Sequence, residues 1–127
     1  MIKLMDLLVE SNNKAIVGNF VKFVGKELEL KQPPSKIVLL GGGYSQQHLS
    51  FGGYAPDSKD LYVQSGNRHI VDVLRTLAHE LVHHKQNECG LQMDGNDGSD
   101  IENEANAVAG ELMRKYRYLH PEIYGGK

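Results

Sequence analysis

At 127 residues the chain has the length of one domain, and an apolar fraction of 40% with 24% charged residues suits a single soluble core rather than two. A formal net charge of −2 excludes a broad electrostatic grip on nucleic acid or an anionic membrane, and Lys22, Lys26, Lys31 and Lys36 read as a solvated face. The single cysteine, Cys89, excludes an intramolecular disulfide and a paired-cysteine metal site, and reads as a small apolar packing residue.

Met1 to Glu10 carries Asp6 and Glu10 and lacks both a long apolar run and a small-residue cleavage site, so it makes a poor signal peptide. No stretch reaches the ~20 apolar residues that span a bilayer. The expected setting is the cytoplasm. Residues 1–127 read as a single domain, with an N-terminal extension over 1–12 and a flexible tail over 119–127.

In chain order, Ile2 to Val9 forms one or two helical turns with an apolar stripe of Leu4, Leu7 and Leu8. Ser11, Asn12 and Asn13 then supply capping chemistry for a helix over Lys14–Leu30, whose buried face is Ile16, Val17, Phe20, Val21, Val24 and Leu28. Pro33 and Pro34 stop it. Lys36–Leu40 is short, β-branched and bounded by Pro and by Gly41-Gly42-Gly43, which predicts a strand. The triple glycine lacks the Lys-Ser/Thr of a phosphate-binding loop and reads as a flexible connection. Leu49–Tyr54 and Asp60–Gln64 predict two further strands, a hairpin around Ala55-Pro56-Asp57-Ser58-Lys59.

Asn67 is placed to cap a helix over Arg68–Asn87 with Ile70, Leu74, Leu77, Ala78 and Leu81 inward, ended by Cys89-Gly90 with Gly90 left-handed. Met93–Asp100 is a polar Gly/Asp loop at a cleft rim. Its spacing misses that of a calcium loop, because Gly98 falls at the fifth position and no glutamate at the twelfth. Ser99 or Asp100 caps a last helix over Ile101–Tyr118, with Ala105, Val108, Ala109, Leu112, Met113 and Tyr116 inward. The order helix, three strands, helix, helix makes an α+β domain with a small, mixed or antiparallel sheet.

The segment that carries chemistry is His79-Glu80-Leu81-Val82-His83. Histidines at i and i+4 lie one turn apart on one face, so their ring nitrogens can converge on one ion, and imidazole suits zinc. Glu80 reaches the same cleft from a shifted angle, placed to touch a metal-bound water rather than the metal. A catalytic zinc needs a third protein ligand and an open fourth position. Two carboxylates at the start of the next helix compete for that role, Glu102 and Glu104. Glu102 is favoured, since it shares a side with the small residues Ala105 and Ala109 and with Asn106, which at i+4 can orient a ligand. Glu104 falls about 160° further round and points to solvent. A bare HExxH also arises by chance on solvated helices. Here it sits among Leu77, Ala78 and Leu81, where unpartnered polar groups would be costly.

His79 to His83 followed by Glu102-x-x-Ala105-Asn106 resembles the gluzincin branch of zinc metallopeptidases, and the order of elements over Lys14–Tyr116 is similar to minimal single-domain gluzincins and ImmA/IrrE-like peptidase domains. The resemblance implies a zincin-like fold with one catalytic Zn2+, Glu102 as third ligand, and a sheet whose edge strand, Asp60–Gln64, binds extended substrate. It also implies a downstream Tyr or His as oxyanion donor, for which Tyr118 and His120 are the candidates because Tyr116 belongs to the core stripe. The metzincin pattern is absent, lacking the Gly and third His after His83, and so is the SprT-like one, since His120 is the only histidine after His84. His84 turns roughly 100° from His83, toward solvent; His48 and His69 read as structural or exposed.

The expectation is a monomeric zinc endopeptidase acting on a peptide or protein, with Glu80 as general base and no nucleic-acid or membrane partner. The rival is a zincin-fold regulatory or binding module with latent or single-target proteolysis, its tail from Tyr118 onward folded over the cleft.

Overall fold

The computed structural model describes residues 4–40, 52–66, 68–91 and 99–124, with the side chains of the first helix from Lys14 onward. The triple glycine, His48, Leu49 to Phe51, Asn67, residues 92–98 and Gly125 to Lys127 lie outside the described residues. The elements run α1 (Leu4–Glu27), β1 (Lys36–Leu40), β2 (Gly52–Ala55), β3 (Asp60–Gln64), α2 (Ile70–Glu88), α3 (Asp100–Leu119) and a 3-10 turn, Pro121–Tyr124. This is the expected α+β order of helices around a small mixed sheet. Among the described residues no helix is long and apolar enough to cross a membrane.

α1 runs through Ser11-Asn12-Asn13 without a break. Polar capping residues cost well under 1 kcal/mol each inside a helix, so with no Pro or Gly among them they do not end one. The helix stops sooner than its apolar period suggests. Glu29 turns left-handed (φ 54°), and Leu30 N–H closes on the Gly25 carbonyl at 2.9 Å. α2 closes the same way as expected, with Gly90 at φ 78° and Leu91 N–H on the Gln86 carbonyl at 3.0 Å. Cys89, expected to pack, is exposed at this helix end. The N-cap of α2 is His69, whose Nδ1 accepts from Val71 N–H at 3.1 Å.

The strand order is β1-β3-β2, with β1 parallel to β3 and β2 antiparallel to it. The hairpin of β2 and β3 is as predicted, turning through residues 56–59. The edge assignment is corrected. Asp60–Gln64 is the central strand, bonded on both sides, so its backbone cannot take up a substrate; among the described residues the edges are β1 and β2. Strand position depends on long-range pairing, which a strand's own residues do not encode.

Leu61 and Val63 of β3 point into the core with Leu74, Leu77, Ala78 and Leu81 of α2, all fully buried. α1 closes one side through Val17, Phe20 and Val24, and Phe20 meets the Tyr116 ring of α3 edge-on at 4.8 Å. Ala105 and Ala109, both buried, leave α3 room to lie close on α2.

A polar clamp ties the chain between α1 and β1 to the end of α2. Glu88 accepts the backbone N–H groups of Lys31 and Gln32 at 3.0 and 2.8 Å, and His84 Nε2 donates to the Gln32 carbonyl at 2.8 Å. Tyr54 of β2 donates its hydroxyl proton to His84 Nδ1 at 2.6 Å and accepts from Asn87 at 3.0 Å. His84 was expected at the surface but is fully buried. Its direction from His83 follows the helical period, but α2 is covered on that side too, by β2 and the loop after α1.

Burial works to raise the Glu88 carboxyl, yet the two N–H donors, with His84 and Lys85 nearby, hold it below the usual glutamate range. A carboxylate depressed in the folded state stabilises above its unfolded pKa and loses that contribution as pH falls through the folded value. Glu88→Gln is expected to cost about 1–2 kcal/mol near neutral pH and to flatten the acid limb of stability below about pH 5, measured by denaturant unfolding. An acid limb identical to the parent's would show that Glu88 does not hold the clamp.

Candidate metal centre

α2 and α3 build the site. His79 and His83 share the face of α2 that meets the first turn of α3, where Ser99 caps the helix by accepting from Glu102 N–H at 3.2 Å. The cap fixes the backbone at Glu102 and brings its carboxylate between the two imidazoles. Glu102 Oε1 lies 3.1 Å from His79 Nε2, Glu102 Oε2 lies 2.9 Å from His83 Nε2, and the two ring nitrogens are 3.1 Å apart.

These separations test the donor set. Metal–ligand bonds of 2.0–2.1 Å in a tetrahedral site imply donors roughly 3.3 Å apart, close to what His79, His83 and Glu102 present. The protons point the same way. Gln86 Oε1 lies 2.7 Å from His83 Nδ1, which must therefore carry the hydrogen, leaving a lone pair on Nε2. That lone pair faces a carboxylate oxygen, and two acceptors at 2.9 Å need a cation or proton between them. His79, His83 and Glu102 fit a divalent metal, and their geometry could hold one.

Glu80 is a different kind of carboxylate. It is buried, with an oxygen within 4.8 Å of a ring nitrogen of each histidine. Burial pushes its carboxyl up to about 8, and the charge of Glu102 adds to the effect. A cation in the site acts in the opposite direction. Burial and the neighbouring His83 hold the His79 imidazole below the usual histidine range, against Glu102 and a hydrogen bond to Asn106. The neutral ring is the form that binds metal. Asn106 thus reaches His79, as its i+4 relation to Glu102 suggested.

Glu104 is exposed as expected but not idle, since it accepts from Gln86 Nε2 at 2.7 Å. Tyr118 and His120 are not brought to the centre. Each residue of an α-helix rises about 1.5 Å, so Tyr118, sixteen positions beyond Glu102, stands roughly 24 Å further along α3. Tyr118 is 86% exposed, and His120 lies past the helix end, paired with Glu122 at 3.4 Å. Two further residues at the site were not singled out from sequence. Gln86 could have been found, as a polar residue on the inner face one turn beyond His83. Gly52 could not: a Cβ there would stand 2.7 Å from Thr76 Cγ2 and 3.4 Å from Glu80 Oε2, a proximity only the fold creates.

Comparison with known proteins agrees with this geometry. No curated protein and no solved structure matches the chain significantly. Residues 46–127 match the family described as IrrE N-terminal-like domain, Peptidase M78, and that span holds β2, β3, α2 and α3 with the whole histidine–carboxylate cluster. The chain belongs to the M78 peptidase family of IrrE N-terminal-like domains.

Proposed function

We propose that the protein is a zinc-dependent endopeptidase in which His79, His83 and Glu102 hold one ion and Glu80 is the general base. The observation that carries this reading is the approach of one carboxylate to two imidazoles, each within 3.1 Å, with a second, buried carboxylate beside them. Zinc bound there supplies a Lewis acid and lowers the pKa of a water ligand to about 7. Glu80 takes the proton of the attacking water as its oxygen adds to the scissile carbonyl carbon. It returns that proton to the amine nitrogen when the C–N bond breaks. Burial suits Glu80 to this exchange, because it raises the carboxylate's affinity for a proton.

Substrate in extended form lies along β2 in this reading. β2 is an edge strand, and Gly52 places it directly against Glu80. The described part of the tail, Pro121–Tyr124, packs back on α3, with the Tyr124 hydroxyl donating to the Met113 carbonyl at 3.1 Å. A module that binds without cutting is separated from the enzyme by a panel of unstructured peptides and proteins, where turnover with zinc bound favours the enzyme.

Glu80→Gln is expected to keep its zinc and lose about 10²–10⁴-fold in peptide hydrolysis. Unchanged cleavage would remove Glu80 from the mechanism. Metal analysis of purified Glu102→Ala should find the site empty while Glu104→Ala still carries zinc, and the reverse result would reassign the third ligand. Gly52→Ala forces Thr76 or β2 to move and is expected to cost about 1–3 kcal/mol and to depress kcat. A variant of parental stability and activity would show that the strand does not set the position of Glu80.

A further inference from the structure

Gln86 lies one turn beyond His83 on the inner face of α2 and is almost wholly buried. A buried amide is costly unless each of its polar atoms is bonded, and here each one is. Its Nε2 donates to the Ile101 carbonyl at 3.0 Å and to Glu104 Oε1 at 2.7 Å. Both partners are acceptors, so the amide cannot be turned the other way. Its oxygen is left facing His83 Nδ1 at 2.7 Å. An amide oxygen only accepts, so the hydrogen of His83 resides on Nδ1, and the Nε2 lone pair is directed at His79 and Glu102.

We propose that Gln86 is a positioning residue of the metal centre: it locks His83 in the Nδ1–H tautomer, and Glu104 in turn locks Gln86. The proposal rests on the metallopeptidase reading for the identity of the ion, but the tautomer is a property of the chain alone. A ligating histidine is commonly oriented by a carboxylate on its second nitrogen. Here the carboxylate of Glu104 stands one residue further out, and its influence arrives through a neutral amide. The chemical reason is charge. Glu80 and Glu102 already bring two carboxylates to a buried cluster, and a third in direct contact with His83 would add repulsion where burial screens it least. An amide polarised by an exposed carboxylate orients the ring and strengthens its lone pair without carrying that charge inward. The same arrangement explains why Glu104 touches neither histidine yet is bonded into the site.

Long-range 1H–15N spectra of the metal-free protein, with zinc competition titrations, test this on the parent chain, Gln86→Leu, Glu104→Ala and the double variant. The parent is expected to show His83 protonated at Nδ1, and Gln86→Leu a mixture of tautomers with zinc affinity lower by about 10–100-fold. Glu104→Ala should weaken zinc binding by less, and the double variant should bind no more weakly than Gln86→Leu. Parental zinc affinity and tautomer in Gln86→Leu would overturn the proposal. So would a Glu104→Ala effect that persists in full without Gln86. Should Gln86→Leu not fold, Glu104→Ala decides alone: it lies at the exposed end of the relay, and an unchanged tautomer and affinity would count against the chain. If the parent binds no zinc, the peptidase reading fails, while the spectra of the metal-free protein still confirm or refute the role of Gln86.

Discussion

Two imidazoles and a carboxylate are held together at the junction of α2 and α3. The lone pair of His83 Nε2 faces an oxygen of Glu102 at 2.9 Å, and His79 Nε2 stands 3.1 Å from each of the other two residues. A carboxylate oxygen that faces a ring lone pair needs a proton or a cation between them, which gives this meeting a preference for positive charge. The surrounding structure serves to enforce that meeting. Ser99 fixes the start of α3, Ala105 and Ala109 let the helices close, and the buried leucines of α2 prevent its rotation. Without this enforcement the imidazoles would turn to water and the preference would vanish.

The fold also explains why two similar carboxylates behave differently. Glu102 enters from α3 and contacts both rings, whereas Glu80 lies on α2 between the histidines and the sheet, in surroundings that favour its protonated form. Position relative to the ion, and not residue type, separates the ligand from the base in the proposed mechanism.

Much of this was legible in the residues because helical spacing is a local property. The i,i+4 histidines, the pair Glu102 and Asn106, the Ser99 cap and the Gly90 stop each follow from a few neighbouring positions, and the structure places them accordingly. What was not legible depends on what lies across a gap. The angle of His84 from His83 could be counted, but nothing in α2 indicates that Tyr54 and Gln32 fill the space it points to. Strand order placed β3 in the middle although its residues would also suit an edge. Tyr118 and His120 show the converse: being downstream of the ligand along the chain is no measure of nearness once a straight helix intervenes.

The hydroxyl of Tyr54 carries one consequence further. Tyr54 belongs to β2 and is fastened to His84 and Asn87, on the helix that also bears the histidine pair. The strand that Gly52 brings against Glu80 is therefore fastened to the helix carrying Glu80 by side chains beyond the histidine pair, so the spacing of strand and helix does not rest on the site residues alone.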